Sequence, residues 1–245
     1  MLRTLLCYGG FMGSLILKMP KKWRMDKLKK QMLPDEFSIL AEQLTGDWAA
    51  ARMRQTGAKV TVNGLENIPE GAVLFVSNHQ SNYDIPVFMS YIRKPKGFVA
   101  KIETKKVPLL KYWMQFMDCI FIDRSDLRQQ AKTIIEGIKQ LQNGHSMVLF
   151  PEGTRSKGGP VSEFKAGSFK LATKSKVPII PVTLNGTYKI MEANGWRIKP
   201  ADVTLTVHPP IETAELTRED EVELCDKVRE IIISALPKEV ENENN

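Results

Sequence analysis

The sequence predicts an α/β fold, with a central, mostly parallel sheet of about seven strands flanked by helices. From residue 58 onward, short apolar segments alternate with helical patterns, which is typical of strands connected through helices. The clearest helical pattern is an apolar stripe that we expect to pack on the sheet, formed by Leu127, Ala131, Ile134, Ile135, Ile138 and Leu141. The expected strands are residues 59–62, 72–76, 97–100, 119–122, 147–150, 179–184 and 203–207.

The chain begins with a segment whose charge differs from the rest. Residues 1–33 contain eight Lys or Arg and one acidic residue, whereas the remaining chain contains 27 of each sign. Residues 5–17 are uncharged, but a helix of that length is about 20 Å long, shorter than the ~30 Å hydrocarbon core of a bilayer. Residues 23–33 then place Met25, Leu28 and Met32 among basic side chains, which resembles an interfacial amphipathic helix.

These features predict a helical membrane-association segment over residues 1–57 and an α/β domain over residues 58–245. A further helix is expected from Pro34, ending by Gly57. We expect monotopic attachment to an anionic membrane surface, since each basic residue near such a surface contributes about 1 kcal/mol. A single span or re-entrant hairpin and a merely solvated basic tail are the alternatives. The predicted membrane-binding residues are Lys21, Lys22, Trp23, Arg24, Lys27, Leu28, Lys29 and Lys30.

A polar segment with a His and an Asp follows the expected strand 72–76. Pro86 suits the first turn of a helix, so residues 77–84 are expected to form a strand-to-helix turn. His79 and Asp84 can meet only if the chain turns between them, because five residues diverge on a helix and face opposite sides on a strand. Asp84 then accepts a hydrogen bond from one imidazole nitrogen and leaves the other as a base. The alternative is a surface His near an N-capping Asp.

A second polar segment, residues 150–156, follows the expected strand 147–150. Gly153 allows backbone N–H groups to approach a ligand, and Arg155 offers a fork for a phosphate. Glu152 can accept hydrogen bonds from a hydroxyl. Taken alone, the segment could equally be an ordinary turn with a solvated Arg.

Together these motifs resemble those of the glycerophospholipid acyltransferases, most closely the 1-acyl-sn-glycerol-3-phosphate (lysophosphatidic acid) acyltransferases. The resemblance covers roughly residues 60–210. It rests on four blocks in the family's order: Asn78, His79 and Asp84; Phe121, Ile122, Asp123 and Arg124; residues 150–156; and residues 177–182.

The resemblance implies the chemistry. His79 would take the proton from the sn-2 hydroxyl of lysophosphatidic acid while Asp84 holds it, and the hydroxyl oxygen would attack an acyl thioester without an acyl-enzyme. The residues implied in substrate binding, or electrostatically suited to it, are Arg124, Glu152, Gly153, Thr154, Arg155, Lys101 and Lys105. For the two lysines a solvated side chain is an equal alternative. Residues 177–182 are linked in the family with acyl-donor binding or core structure, and their apolar character favours the core.

The predicted partners are lysophosphatidic acid, an acyl thioester donor and an anionic membrane surface at the cytoplasmic face. The donor is acyl-CoA or acyl carrier protein as co-substrate, and neither a cofactor nor a metal is predicted, since Cys7, Cys119 and Cys225 have no metal-ligand spacing. The net charge of +7 does not indicate nucleic-acid binding, because it is confined to residues 1–33. The alternative function is a related enzyme acting on glycerol-3-phosphate or another lysophospholipid. A non-catalytic membrane adaptor is disfavoured, because it would lack His79 or Asp84.

Overall fold

Seven strands pair into one sheet in the computed structural model, which describes residues 1–107 and 109–237. The strands are β1 (Lys59–Asn63), β2 (Leu74–Ser77), β3 (Lys96–Lys101), β4 (Ile120–Ile122), β5 (Ser146–Leu149), β6 (Ile179–Asn185) and β7 (Asp202–Val207). Each expected strand is present within two residues of its predicted bounds. The helices are α1 (Leu2–Leu17), α2 (Met19–Leu28), α3 (Pro34–Thr56), α4 (Asp84–Tyr91), α5 (Leu110–Phe116), α6 (Leu127–Gln142), α7 (Lys170–Ser175) and α8 (Arg218–Ser234).

The strand order is β1-β7-β6-β2-β5-β3-β4, which puts β2 in the middle of the sheet. β2 pairs in parallel with β5 and β6, and β3 runs parallel to β5 and β4. β7 is antiparallel to β6, and β1 is parallel to β7, so this pair runs opposite to the other five strands. The predicted α/β fold with a mostly parallel sheet is confirmed. The carboxyl ends of five neighbouring strands meet at one edge, where open α/β sheets bind ligands.

Helices cover both faces of the sheet, which explains why its central strands are apolar without alternation. Every residue of β2 and β5 is buried. Phe75 and Val148 face a core shared with α1, α3 and α4, whereas Leu74 and Met147 face a core shared with α6, α7 and α8. The sheet therefore holds the loops at its carboxyl edge on a rigid base.

The face that α6 presents to the protein includes half of the predicted stripe, namely Ile134, Ile138 and Leu141. Leu127, Ala131 and Ile135 are exposed, and the buried residues of α6 are Thr133, Gly137 and Leu141. Gly137 approaches α7 closely, since an added Cβ there would lie 2.6 Å from a Leu171 side-chain atom. The packed face therefore combines Thr133, Gly137 and Leu141 with the partly buried Ile134 and Ile138.

The N-terminal helices pack onto the α/β region. Cys7 of α1 and Met53 of α3 belong to the same core as one face of the sheet. Leu15, Met25 and Phe37 form a further cluster with the α5 residues Trp113 and Phe116. The predicted boundary at residue 57 stays a prediction. α2 ends at Leu28, so the helix expected through residue 33 is shorter than predicted.

Within residues 1–107 and 109–237, none of the helices is both long and apolar enough to cross a bilayer.

Candidate active site

The loop after β2 turns sharply into α4 and carries the predicted His and Asp. Asp84, the first residue of α4, is fully buried. Its Oδ2 atom accepts hydrogen bonds from the backbone N–H groups of Gln80 (2.7 Å) and Ser81 (2.9 Å), which closes the turn. The same oxygen lies 2.6 Å from Nδ1 of His79. The His and the Asp therefore meet across a turn, in the geometry that their spacing requires.

His79 is fixed in orientation, and one of its ring nitrogens stays open. A carboxylate only accepts hydrogen bonds, so Asp84 favours the proton on Nδ1 and leaves Nε2 with a lone pair. The imidazole stacks on Phe150, with ring centroids 4.3 Å apart. The side chain of His79 remains 18% exposed, so a small group can reach it. A His in this state can remove a proton from a hydroxyl.

Side chains of the turn are tied to the end of β6. Nδ2 of Asn78 donates to the carbonyl of Leu184, and Oδ1 of Asn78 accepts from its N–H, both at 2.8 Å. Oε1 of Gln80 accepts from the N–H of Gly186 at 2.9 Å. All these groups are buried, so the hydrogen bonds fix the turn against the neighbouring strand.

The segment between β6 and β7, here called the support loop (residues 186–198), adds a contact that the sequence did not predict. Oγ1 of Thr187 donates to Oδ1 of Asp84 at 2.5 Å. Both carboxylate oxygens of Asp84 are thus engaged, and their orientation is set. The only signal for Thr187 in the sequence is its place shortly after the expected strand 179–184.

Glu152, predicted to contact a substrate hydroxyl, instead contacts backbone. Its Oε1 accepts from the N–H of His79 at 2.6 Å, and its Oε2 accepts from the N–H of Ser162 at 3.0 Å. The carboxyl is buried, and this burial raises its pKa. Glu152 therefore supports the backbone of His79 and Ser162, and its predicted contact with a substrate hydroxyl stays a prediction.

The loops after β5 and β4 converge on the same edge. The N–H of Ser156 donates to the carbonyl of His79 at 2.8 Å, which joins the β5 loop to the turn. Arg124 donates to the carbonyl of Gly153, and an added Cβ at Gly153 would lie 2.6 Å from Nη1 of Arg124. Gly153 also has a positive φ of 74°, so this close approach requires glycine. Burial lowers the pKa of Arg124. Thr154, which follows Gly153 in the chain, is exposed.

Arg155 is held by a buried acid of the support loop. Nη1 of Arg155 lies 3.0 Å from Oε1 of Glu192, whose side chain is 2% exposed. The guanidinium carbon lies 5.8 Å from the ring centroid of Trp196, within cation–π range. Neither Glu192 nor Trp196 was predicted, because both lie in an irregular loop without a recognisable pattern.

Lys101 and Lys105 lie at the same edge but farther along the sheet. Lys101 ends β3 and is in register with Ile122 of β4, and its side chain is exposed. Nζ of Lys105 lies 4.5 Å from the ring centroid of Phe121. Their predicted contact with a phosphate stays a prediction.

The apolar block 177–182 belongs to the core. Ile179, Ile180 and Val182 are fully buried in β6, which pairs with β2.

Among residues 1–107 and 109–237, no group of three or more His, Cys, Asp or Glu is arranged to hold a metal ion. Cys7, Cys119 and Cys225 are free and buried.

The predicted membrane-binding residues divide into two sets. Lys22 is buried and pairs with Asp26 at 2.5 Å. Leu28 is partly buried against the cluster of Leu15, Met25 and Phe37. Lys22 and Leu28 therefore face the protein, and their predicted role at a membrane stays a prediction. The exposed residues are Lys21, Trp23, Arg24, Lys27, Lys30 and also Lys29, which pairs with Asp118 at 3.1 Å.

The comparisons with known proteins agree on one family. The family model described as Acyltransferase matches residues 59–185. The chain is 31% identical to a 1-acyl-sn-glycerol-3-phosphate acyltransferase of Chlamydomonas reinhardtii, covering 94% of this chain and 69% of that protein. It is 33% identical to a 1-acyl-sn-glycerol-3-phosphate acyltransferase of Borreliella burgdorferi, covering 74% and 72%. The matches with two further curated relatives cover about half of each relative's length.

One solved structure is similar over almost the whole chain. It is the crystal structure of the 1-acyl-sn-glycerophosphate (LPA) acyltransferase PlsC from Thermotoga maritima. The TM-score is 0.80, the sequence identity is 27%, and the alignment covers 97% of each chain. The similarity includes the N-terminal region as well as the sheet.

Proposed function

The chain belongs to the Acyltransferase family, and from that premise we propose that it acylates the sn-2 hydroxyl of 1-acyl-sn-glycerol-3-phosphate, giving phosphatidic acid. The acyl donor is a thioester, either acyl-CoA or acyl carrier protein. The observation that carries the proposal is the 2.6 Å contact between His79 and Asp84, on a turn bonded to the loop of Arg155. The names of the relatives supply the acceptor.

The proposed mechanism needs no acyl-enzyme. Nε2 of His79 removes the proton from the sn-2 hydroxyl as its oxygen attacks the thioester carbonyl, and Asp84 stabilises the imidazolium that forms. The tetrahedral intermediate then collapses, the C–S bond breaks, and the imidazolium returns its proton to the thiolate. The buried hydrogen bonds of Asp84 support this role, because they keep the carboxylate oriented without substrate.

The test of this function is product formation from lysophosphatidic acid and a long-chain acyl thioester. Phosphatidic acid as the product supports the proposal. Glycerol-3-phosphate and other lysophospholipids are assayed in parallel, and preferential acylation of one of these would overturn the acceptor assignment. Acyl-CoA and acyl carrier protein donors are compared in the same assay.

We assign the phosphate of the acceptor to Arg155 and Arg124, together with Gly153 and Thr154 of the β5 loop. In the part of the chain that the structure describes, the hydrogen bond that Arg155 donates runs from Nη1 to Glu192, and its other N–H groups can donate to a phosphate. Lys101 and Lys105 add positive charge at the same edge of the sheet.

Arg155→Ala is expected to raise the KM for lysophosphatidic acid about tenfold or more, because a charge-assisted hydrogen bond contributes roughly 1.5–3 kcal/mol. The KM for the thioester should stay within about twofold, because Arg155 contacts the phosphate of the acceptor and not the acyl donor. Initial rates with each substrate varied in turn measure both values. Arg218→Ala, at the exposed start of α8, is the control. An effect limited to the thioester would contradict the assignment.

We also propose that the protein lies on an anionic membrane at the cytoplasmic face. Leu2, Leu5 and Leu17 of α1 are exposed, as is Trp23 of α2. The exposed basic residues of α2 and its C-terminal turn lie in the same N-terminal segment. Apolar side chains beside exposed basic ones are suited to an interface between lipid and water.

Replacing Lys21, Arg24, Lys27 and Lys30 by Gln is expected to weaken binding to anionic vesicles about 100-fold or more, at about 1 kcal/mol per charge. Vesicle flotation at low salt measures this change in binding. Deleting the helices would be a poorer test, because it would remove Cys7, Leu15 and Met25 from their buried positions. The matched control replaces four exposed lysines of α6 and α7 by Gln, Lys132, Lys139, Lys170 and Lys174. Equal losses in both variants would argue against a specific surface.

A further inference from the structure

A buried acid outside every predicted motif connects the two halves of the site. Glu192 lies in the support loop with a side chain that is 2% exposed. Its Oε1 accepts from the N–H of Asn82 and from Nη1 of Arg155, both at 3.0 Å. Its Oε2 accepts from Oγ of Ser81 at 2.6 Å. One carboxylate therefore bonds both to the turn that carries His79 and to the arginine of the β5 loop.

Ser81, one of the two turn residues that bond to Glu192, also bonds to Asp84. The N–H of Ser81 donates to Asp84, while the Oγ of Ser81 accepts from the N–H of Tyr83 at 3.0 Å. A continuous path of hydrogen bonds thus runs from Arg155 through Glu192 and Ser81 to Asp84. Every step is 3.0 Å or shorter.

Burial of the Glu192 side chain restricts the motion of Glu192 and of the groups that bond to it. A carboxylate out of water is tolerated only when charge and hydrogen bonds compensate it, and Arg155, Ser81 and Asn82 together provide that compensation for Glu192. Arg155 in turn is bound on one nitrogen and covered by Trp196. The guanidinium therefore loses little freedom when an anion binds its remaining donors, which favours binding.

We propose that Glu192 is a positioning residue that fixes Arg155 relative to His79, and so sets which hydroxyl of a phosphate-bearing acceptor is acylated. The proposal rests on the proposed function. The sn-2 hydroxyl lies one carbon from the phosphorylated carbon of the acceptor, and the sn-1 hydroxyl lies two carbons away. A fixed distance from the phosphate-binding arginine to the base discriminates between these spacings.

Glu192→Gln tests the proposal, because it keeps the shape of the side chain and removes its charge. The KM for lysophosphatidic acid should rise about tenfold, since hydrogen bonds between charged groups are the strong ones. The KM for the thioester should stay within about twofold. Preference for 1-O-alkyl over 2-O-alkyl glycerol 3-phosphate should fall, and these ethers cannot rearrange during the assay. A merely structural role would leave that preference unchanged, so an unchanged preference would overturn the proposal.

A double-mutant cycle shows whether Glu192 acts through Arg155. The variant that combines Glu192→Gln with Arg155→Ala should have a KM for lysophosphatidic acid no higher than Arg155→Ala alone. Additive effects would overturn the proposal. Asn194→Ala is the loop control, because it removes a hydrogen bond to the Lys189 carbonyl in the same loop and leaves Glu192 in place. If Asn194→Ala reproduces the effects of Glu192→Gln, loop disorder explains them and the proposal falls.

Calorimetry with sn-glycerol 3-phosphate, without any acyl donor, separates this proposal from the proposed function. If the wild-type protein fails to acylate lysophosphatidic acid, the proposed function is overturned, but the role of Glu192 is not. Headgroup binding that is about tenfold weaker in Glu192→Gln than in wild type would still support the role of Glu192. Equal binding in both proteins would overturn it.

Discussion

His79→Ala is expected to lower kcat about 100-fold or more, because a positioned general base contributes roughly 10²–10⁴-fold to rate. The KM for either substrate should change little, since His79 contributes to the chemical step and not to binding of the phosphate or the thioester. The measurement is the initial rate of phosphatidic acid formation at saturating substrates. Full activity in the variant would exclude His79 as the base and overturn the mechanism with it.

His208→Gln is the matched control for this result. Nε2 of His208 lies 2.8 Å from Oγ1 of Thr183, a contact that the amide of Gln can reproduce. His208 follows β7, and its ring bonds to Thr183 rather than to His79 or Asp84, so its replacement should leave kcat unchanged. Thermal unfolding of both variants shows whether either change acts through stability instead.

Asp84→Asn is expected to lower kcat about 100-fold or more with little change in stability, because it removes only the charge that stabilises the imidazolium. The Asn oxygen can still accept from Gln80 and Ser81. Its NH₂ can donate to the hydroxyl of Thr187, which turns from donor to acceptor.

Asp84→Ala separates the charge from the hydrogen bonds. Alanine leaves the buried N–H groups of Gln80 and Ser81 without partners, at about 1–3 kcal/mol each. Its free energy of unfolding should therefore fall by about 2 kcal/mol or more relative to Asp84→Asn, measured by urea denaturation. An Asn variant with wild-type activity would contradict the proposed role of the charge.

The sequence predicted the features that depend on short stretches of the chain, namely the His79/Asp84 turn and the strands. His79 and Asp84 lie five positions apart, so a single turn determines whether they meet, and the residues between them are turn formers. The strands were recognised because burial on both faces makes them continuous apolar runs. Thr187 and Glu192 were missed because they are ordinary residue types in an irregular loop, and their roles depend on the order of strands in the sheet.

The α6 helix shows a second limit of sequence reasoning. Its apolar stripe was recognised, but Leu127 and Ile135 of that stripe are exposed. The packed face instead includes Gly137, whose missing side chain allows a close approach to Leu171. A hydrophobic periodicity gives no weight to a glycine or a threonine, so it predicted only the Ile134, Ile138 and Leu141 side of the packed face.

The bonds from Asn78 and Gln80 to the end of β6 bear on how the chain is synthesised. They join residues 106 apart, so the turn that carries the base is incomplete while the ribosome is still adding the second half of the chain. Until β6 arrives, β2 also lacks its neighbour on that side and presents an unpaired edge to other chains. Long-range pairings of this kind slow folding. Reactivity toward thioesters should thus appear only after β6 has docked, when the protein no longer presents this edge for aggregation.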